Sequence, residues 1–188
     1  MGLLINPKAW IVAAISVSTA NIAFADTFSA DINNDAFKFQ YNATNTGSNL
    51  DLNASILHHD DDGEIYAVGA QVEGQSLQQA NATGSLGAKL YYIDLDGADG
   101  FAIGLGGLVN IAIPQVEGFS IQAEAYYAPS VLSFNDVEHH IDFGAKAKYR
   151  VLDNGSVYLG YRKANIDIEN AGDGDLDEGI HVGIELEI

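Results

Sequence analysis

Three cations recur at every second position near residue 150: Lys146, Lys148 and Arg150. On an extended chain that spacing points them to one side. The concentration matters because the chain has only 8 Lys and Arg against 26 Asp and Glu. Ile141, Phe143, Ala145, Ala147, Tyr149 and Val151 take the alternate positions. Residues 140–151 therefore read as a strand with one apolar face and one face that must be wet or ion-paired. A transmembrane barrel strand satisfies this with lipid outside and a polar lumen inside. A soluble sandwich strand satisfies it with a core inside and water outside.

If the apolar faces point outward, Lys38, Lys89, Lys146, Lys148, Arg150 and Arg162 all enter the lumen, and only Lys163 escapes at a strand end. The acids on inward faces are Asp51, Glu73, Glu124, Asp142, Glu185 and Glu187. The expected lumen network is thus Lys38, Lys89, Glu124, Asp142, Lys146, Lys148, Arg150, Arg162, Glu185 and Glu187. Glu124 should meet the basic row from one neighbouring strand. Arg162 should flank it on the other, with Glu185 and Glu187 one strand further on. A narrow barrel filled by its own ion-paired side chains suits this set.

Other residues could bind or react. Asp94, Asp96 and Asp99, and again Asp173, Asp175 and Asp177, form oxygen-rich stretches that resemble calcium loops. Neither keeps an EF-hand frame: Gly97 comes too early, Glu178 stands at position six of the second, and Ile184 replaces the closing acid. They are candidates for weak divalent cations only, against a plainer reading as solvated acidic loops. His58-His59 and His139-His140 are adjacent pairs, and adjacent strand residues face opposite ways, so neither pair chelates one ion easily. Ser133, Asp136, His139 and His140 lie close in sequence, but no G-x-S-x-G or H-E-x-x-H motif frames them. No catalysis, resident metal or cofactor is expected.

The elements that position these residues follow from the same alternation. Candidate strands occur at 27–33, 36–42, 50–56, 66–73, 85–92, 101–113, 119–127, 140–151, 157–162 and 180–188. Acidic connections at 58–64, 94–100, 128–138 and 163–179 alternate with shorter turns at 44–48, 74–81, 114–118 and 152–155. The last turn contains Asn154-Gly155, a pair suited to positive φ. Long loops at one end and short turns at the other are the pattern of an outer-membrane barrel. Parity then requires the segment at 27–33 as a first strand, giving ten strands, with eight as the alternative. Tyr66, Tyr92, Tyr126, Tyr127, Tyr149 and Tyr161 fall toward strand ends, where aromatic girdles sit.

The N-terminus addresses the chain. Lys8 precedes an apolar run at 9–19 (AWIVAAISVST), and Ala23-Phe24-Ala25 supplies a small-x-small cleavage pattern. This reads as a signal peptide over residues 1–25, too short to span a membrane, followed by one domain at 26–188. There is no cysteine, so stability must come from sheet closure or a large core. The formal charge of −18 argues against nucleic acid as a partner.

The chain resembles the YfaZ family of outer-membrane proteins. The markers are 60–63 (DDDG), the glycine-rich 100–107 (GFAIGLGG), 124–133 (EAYYAPSVLS), 160–162 (GYR) and 179–183 (GIHVG), in order over nearly the whole mature chain. The resemblance implies a small outer-membrane barrel and supplies no catalytic residues. One departure is the last residue, Ile188, where outer-membrane barrels usually end in an aromatic. The expectation is therefore an all-β transmembrane antiparallel up-and-down β-barrel in a Gram-negative outer membrane. It would meet outer-membrane lipid, lipopolysaccharide and the barrel assembly machinery, with weak divalent cations at the acidic loops. Three functions follow: a closed structural or interaction barrel, a narrow channel for small solutes or anions, and a soluble periplasmic ligand-binding barrel.

Overall fold

The computed structural model describes residues 24–45, 49–74, 81–95, 98–168 and 172–188. The expected signal peptide lies outside the described residues except for its last two positions, which open the first strand. The strands are β1 (Phe24–Ile32), β2 (Ala36–Asn45), β3 (Leu50–His59), β4 (Gly63–Glu73), β5 (Ala82–Leu95), β6 (Ala98–Ala112), β7 (Phe119–Ala128), the short β8 (Ser133–Asn135), β9 (Val137–Leu152), β10 (Gly155–Ile168) and β11 (Gly172–Glu187). Apart from β8, which pairs only over the end of β6, each strand bonds antiparallel to two neighbours. The β1–β11 pairing and the β5–β6 pairing close the sheet into a ring of ten strands. Ten is the number that parity demands, and eight is excluded. No helix among the described residues is long and apolar enough to cross a membrane; the strands do the crossing.

Alternation explains which face goes where. Leu52, Val68, Leu86, Leu105, Val109, Leu159 and Val182 point outward and are exposed along their strands. A belt of that kind around a closed sheet has no aqueous partner and fits lipid. The interior carries the buried charges instead, including Lys89, Asp142, Arg162 and Glu185. This arrangement is the inverse of a soluble ligand-binding barrel, so that alternative falls. Aromatic rings cap the belt near the end opposite the chain termini (the far end): Tyr66 stacks with Tyr92 at 6.1 Å, and Tyr92 meets Phe101 at 4.9 Å. Tyr126 is a correction, since it turns inward and is buried.

Two local expectations also change. The acidic stretches read as loops are mostly strand: β3 and β4 are separated only by 60–62, and β10 and β11 only by 169–171. Acids mark a connection only where the alternate face is also polar. Here Ala164, Ile166 and Leu176 point inward and are buried, so the sheet continues past the lipid as hairpins whose outer faces are free to be acidic. The second change concerns the turn at 153–154, where neither Asn154 nor Gly155 has positive φ. A register shift between Gly155 and Ser156 accommodates the strand twist there. Positive φ occurs instead at Gly63, Asn81, Gly118 and Asn135.

The core of the molecule is the far third of the lumen. Leu57, Ile65, Ile93, Val137, Ile166 and Leu176 converge there with Ala36, Ala67, Ala102, Ala128 and Ala164. All lie at strand ends away from the chain termini, so the far mouth is filled by a dry apolar layer.

Candidate functional site: the lumen

Directly below that layer sits Lys89, 2% exposed on β5. Its Nζ lies 3.0 Å from Glu124 Oε2 and 3.4 Å from Asp142 Oδ2, and 4.1 Å above the Tyr126 ring. Tyr91 donates its hydroxyl to Asp142 Oδ2 at 3.0 Å, and Lys38 approaches Glu124 Oε1 at 3.8 Å. Glycine makes the room: a Cβ on Gly104 would lie 2.9 Å from the Tyr91 ring. The glycine-rich strand thus admits two tyrosines into a narrow barrel.

A second group occupies the adjoining wall. Lys146 and Lys148 both reach Glu185, at 3.3 and 2.9 Å, and Lys146 lies 4.7 Å over the Tyr158 ring. A third group joins Arg162 to Asp31 and Asp177. Tyr158 donates to Asp31 Oδ2 at 2.9 Å, and Asn33 donates to Asp177 Oδ1 at 2.7 Å. Five cations (Lys38, Lys89, Lys146, Lys148, Arg162) and five carboxylates (Asp31, Glu124, Asp142, Asp177, Glu185) therefore meet inside. These paired groups balance one another although the whole chain carries −18. Such pairing is what a low-dielectric interior demands.

The partners differ from those the sequence suggested. Glu124 does not serve Lys146 or Lys148, because the β7–β9 register sets it opposite Gly144, and it reaches past β6 to Lys89 on β5. Arg150 and Glu187 are exposed at the near mouth, and neither makes a side-chain ion pair among the described residues. They lie near the terminal-side ends of their strands, where water serves them better than a partner. Asp31 and Asp177 were missed. The alternation of Phe28, Ala30 and Ile32 would have put Asp31 inward, whereas Asp177 lies in a stretch read as loop.

Between the three groups lies a cavity of about 30 Å³, lined by Asp31, Lys38, Glu124, Lys146, Arg162 and His181 among others. That is roughly the volume of one water molecule. Arg162 Nη2 and His181 Nδ1 are buried there without a hydrogen-bond partner among the described residues. Toward the chain termini the lumen opens into a mouth of about 530 Å³ lined by Asn110, Ser120, Lys148, Arg150, Glu185 and Glu187 with the turn at 113–118.

The remaining candidates do not gather. Asp175 pairs with Lys163 at 3.1 Å and with Asn165 at 2.9 Å on the outside of the far hairpin, while Asp177 is committed to Arg162 inside. Strand residues facing opposite sides cannot form an oxygen cage. Asp99 meets Asp136 through its backbone: its N–H donates to Asp136 Oδ2 at 3.2 Å and its carbonyl accepts from the Asp136 N–H at 3.4 Å. Asp94 sits in β5, Asp96 lies outside the described residues, and so does the side chain of Asp173. His139 and His140 do face opposite ways: His140 is in the lumen, 3.0 Å from Asn165 O, and His139 is outside. Ser133 donates to Pro129 O at 3.1 Å, and no hydrogen bond joins it to either histidine among the described residues.

Comparison with known proteins places this architecture. The family model described as "YfaZ precursor" matches residues 8–188. Outer membrane protein YfaZ of Escherichia coli (strain K12) is 28% identical over 137 residues, covering 72% of this chain and 73% of that protein. Among solved structures, the KdgM porin aligns with a TM-score of 0.47 and 10% identity, over 87% of this chain and 99% of that one. The outer membrane channel DcaP of Acinetobacter baumannii aligns with a TM-score of 0.43 and 9% identity, over 85% of this chain and 54% of that chain, so this chain spans about half its length. The family model takes in all ten barrel strands, and the chain belongs to the YfaZ family of outer-membrane proteins.

Proposed function

We propose that this protein is a sealed barrel of the outer membrane, with a structural or interaction role, no catalysis and no conducting pore. One observation carries the reading: the far mouth is filled by Ile93, Val137, Ile166 and Leu176, packed directly over the Lys89–Glu124–Asp142 cluster. An ion would have to shed its water to pass the first and break paired charges to pass the second. Below them the cavity between the three charged groups is about 30 Å³. The chain termini stay on the periplasmic side in this reading, because carrying charged ends through lipid is costly. The far hairpins, with Asp60, Asp61, Asp62, Asp175 and Glu178 exposed, then face outward. Lipid surrounds the belt, lipopolysaccharide meets the acidic rim, and the assembly machinery inserts the strands.

The test is solute flux. Proteoliposomes loaded with chloride or a small sugar should leak at the rate of protein-free vesicles. Steady protein-dependent chloride efflux would replace this reading with the narrow anion channel, for which Lys146, Lys148 and Arg162 would supply the selectivity.

A further inference from the structure

The outer rim carries a cluster that neither the lumen nor the family explains. Glu138, His139 and Asp167 each offer one ligand atom, and these atoms all lie within 4.8 Å of one another. Three features of the local structure bring them together. First, β9 has one residue more than β10 at this point: Val137 pairs with Ile168 and His139 with Asp167, leaving Glu138 as the extra residue of a bulge. A bulge breaks strict alternation, so Glu138 and His139 can reach the same side. Second, the Tyr127 ring stacks on His139 at 6.4 Å and 19°, which fixes the plane of the imidazole. Third, His139 Nδ1 lies 3.4 Å from Asp167 Oδ2, and that is the only ion pair either carboxylate makes among the described residues. Lys163, the one nearby cation of β10, is already held by Asp175 and Glu178.

We infer that Glu138, His139 and Asp167 form a site for a divalent cation of the zinc class on the outer rim of the barrel. One imidazole nitrogen with two carboxylate oxygens suits zinc, whereas calcium takes six to eight oxygens and magnesium an octahedral, mostly aqueous shell. Ligand atoms around tetrahedral zinc stand about 3.4 Å apart, so side-chain rotations of about an ångström close the set. Two carboxylates with no Lys or Arg partner among the described residues are neutralised by the ion. The protein supplies three ligands, and the fourth position opens to the exterior.

The experiment uses the untagged, metal-free barrel folded in detergent micelles and titrated with Zn²⁺ by calorimetry. One Zn²⁺ per chain is expected, with affinity at least tenfold weaker in Glu138→Gln, His139→Ala and Asp167→Asn, and unchanged in His58→Ala. A mobility shift on heating verifies that each variant is folded, and Glu138, exposed and unpaired, is the substitution least able to disturb folding. Absence of stoichiometric zinc binding overturns the site, as does full affinity in folded Glu138→Gln and His139→Ala. Loss of binding in His58→Ala alone assigns the ion to β3, on the other side of the same rim, and overturns it equally. Calcium binding with no zinc preference overturns the assigned metal class.

Discussion

The far and near halves of the lumen solve the same problem in opposite ways. The far half is dry: Leu57, Ile65, Ile93, Val137, Ile166 and Leu176 interdigitate as in a soluble core. The near half is lined by small polar groups such as Ser85, bonded to Gln71 at 2.6 Å, and it widens into a mouth of about 530 Å³. Between them, charges near the dry layer are fully sequestered and matched, while those toward the mouth are shared or loose. Lys89 is 2% exposed with two carboxylates, Lys146 and Lys148 share Glu185, and Arg150 has no partner among the described residues. Desolvation sets this gradient: the less water a charge can reach, the more completely its pairing must be built into the wall.

Substitutions along the lumen should reproduce the gradient in stability. Lys89→Met has the largest expected effect. It leaves Asp142 without a cation and Glu124 with only Lys38 at 3.8 Å, at a cost of about 3–5 kcal/mol. Urea unfolding in lipid vesicles measures this, and an unchanged midpoint would mean that water reaches the cluster. Ile166→Ala opens a void in the dry layer and should cost about 2–5 kcal/mol. A loss well under 1 kcal/mol there would show a layer that collapses or is already hydrated. Lys148→Met leaves Glu185 its bond to Lys146, so the same unfolding assay should report a loss of only about 1 kcal/mol. Arg150→Ala, at the wet mouth, should stay within about 0.5 kcal/mol of the parent. If Arg150 proved as costly as Lys89, the contrast between the halves would vanish.

Legibility followed the physics of each feature. Outward faces could be read residue by residue, because alternation is local and lipid demands it at every second position, as in Ile141, Phe143, Tyr149 and Val151. Strand number followed from parity, even though the long acidic connections behind that argument proved to be hairpins, with β10 running to Ile168. Partners across the lumen could not be read. Alternation places Glu124 and Lys89 inside but says nothing of their relative depth, which strand tilt and stagger decide. The rim cluster was hidden for a related reason. Glu138 and His139 share a side only because a bulge interrupts the period, and nothing in their types announces one.

The central claim is that the lumen is closed by its far layer. Single-channel recording of the purified barrel in a planar bilayer tests it most directly. The account predicts a baseline without unitary steps in wild type across moderate voltages and salt concentrations. Steady, reproducible openings with anion selectivity would contradict it and make the basic row of β9 the lining of a pore.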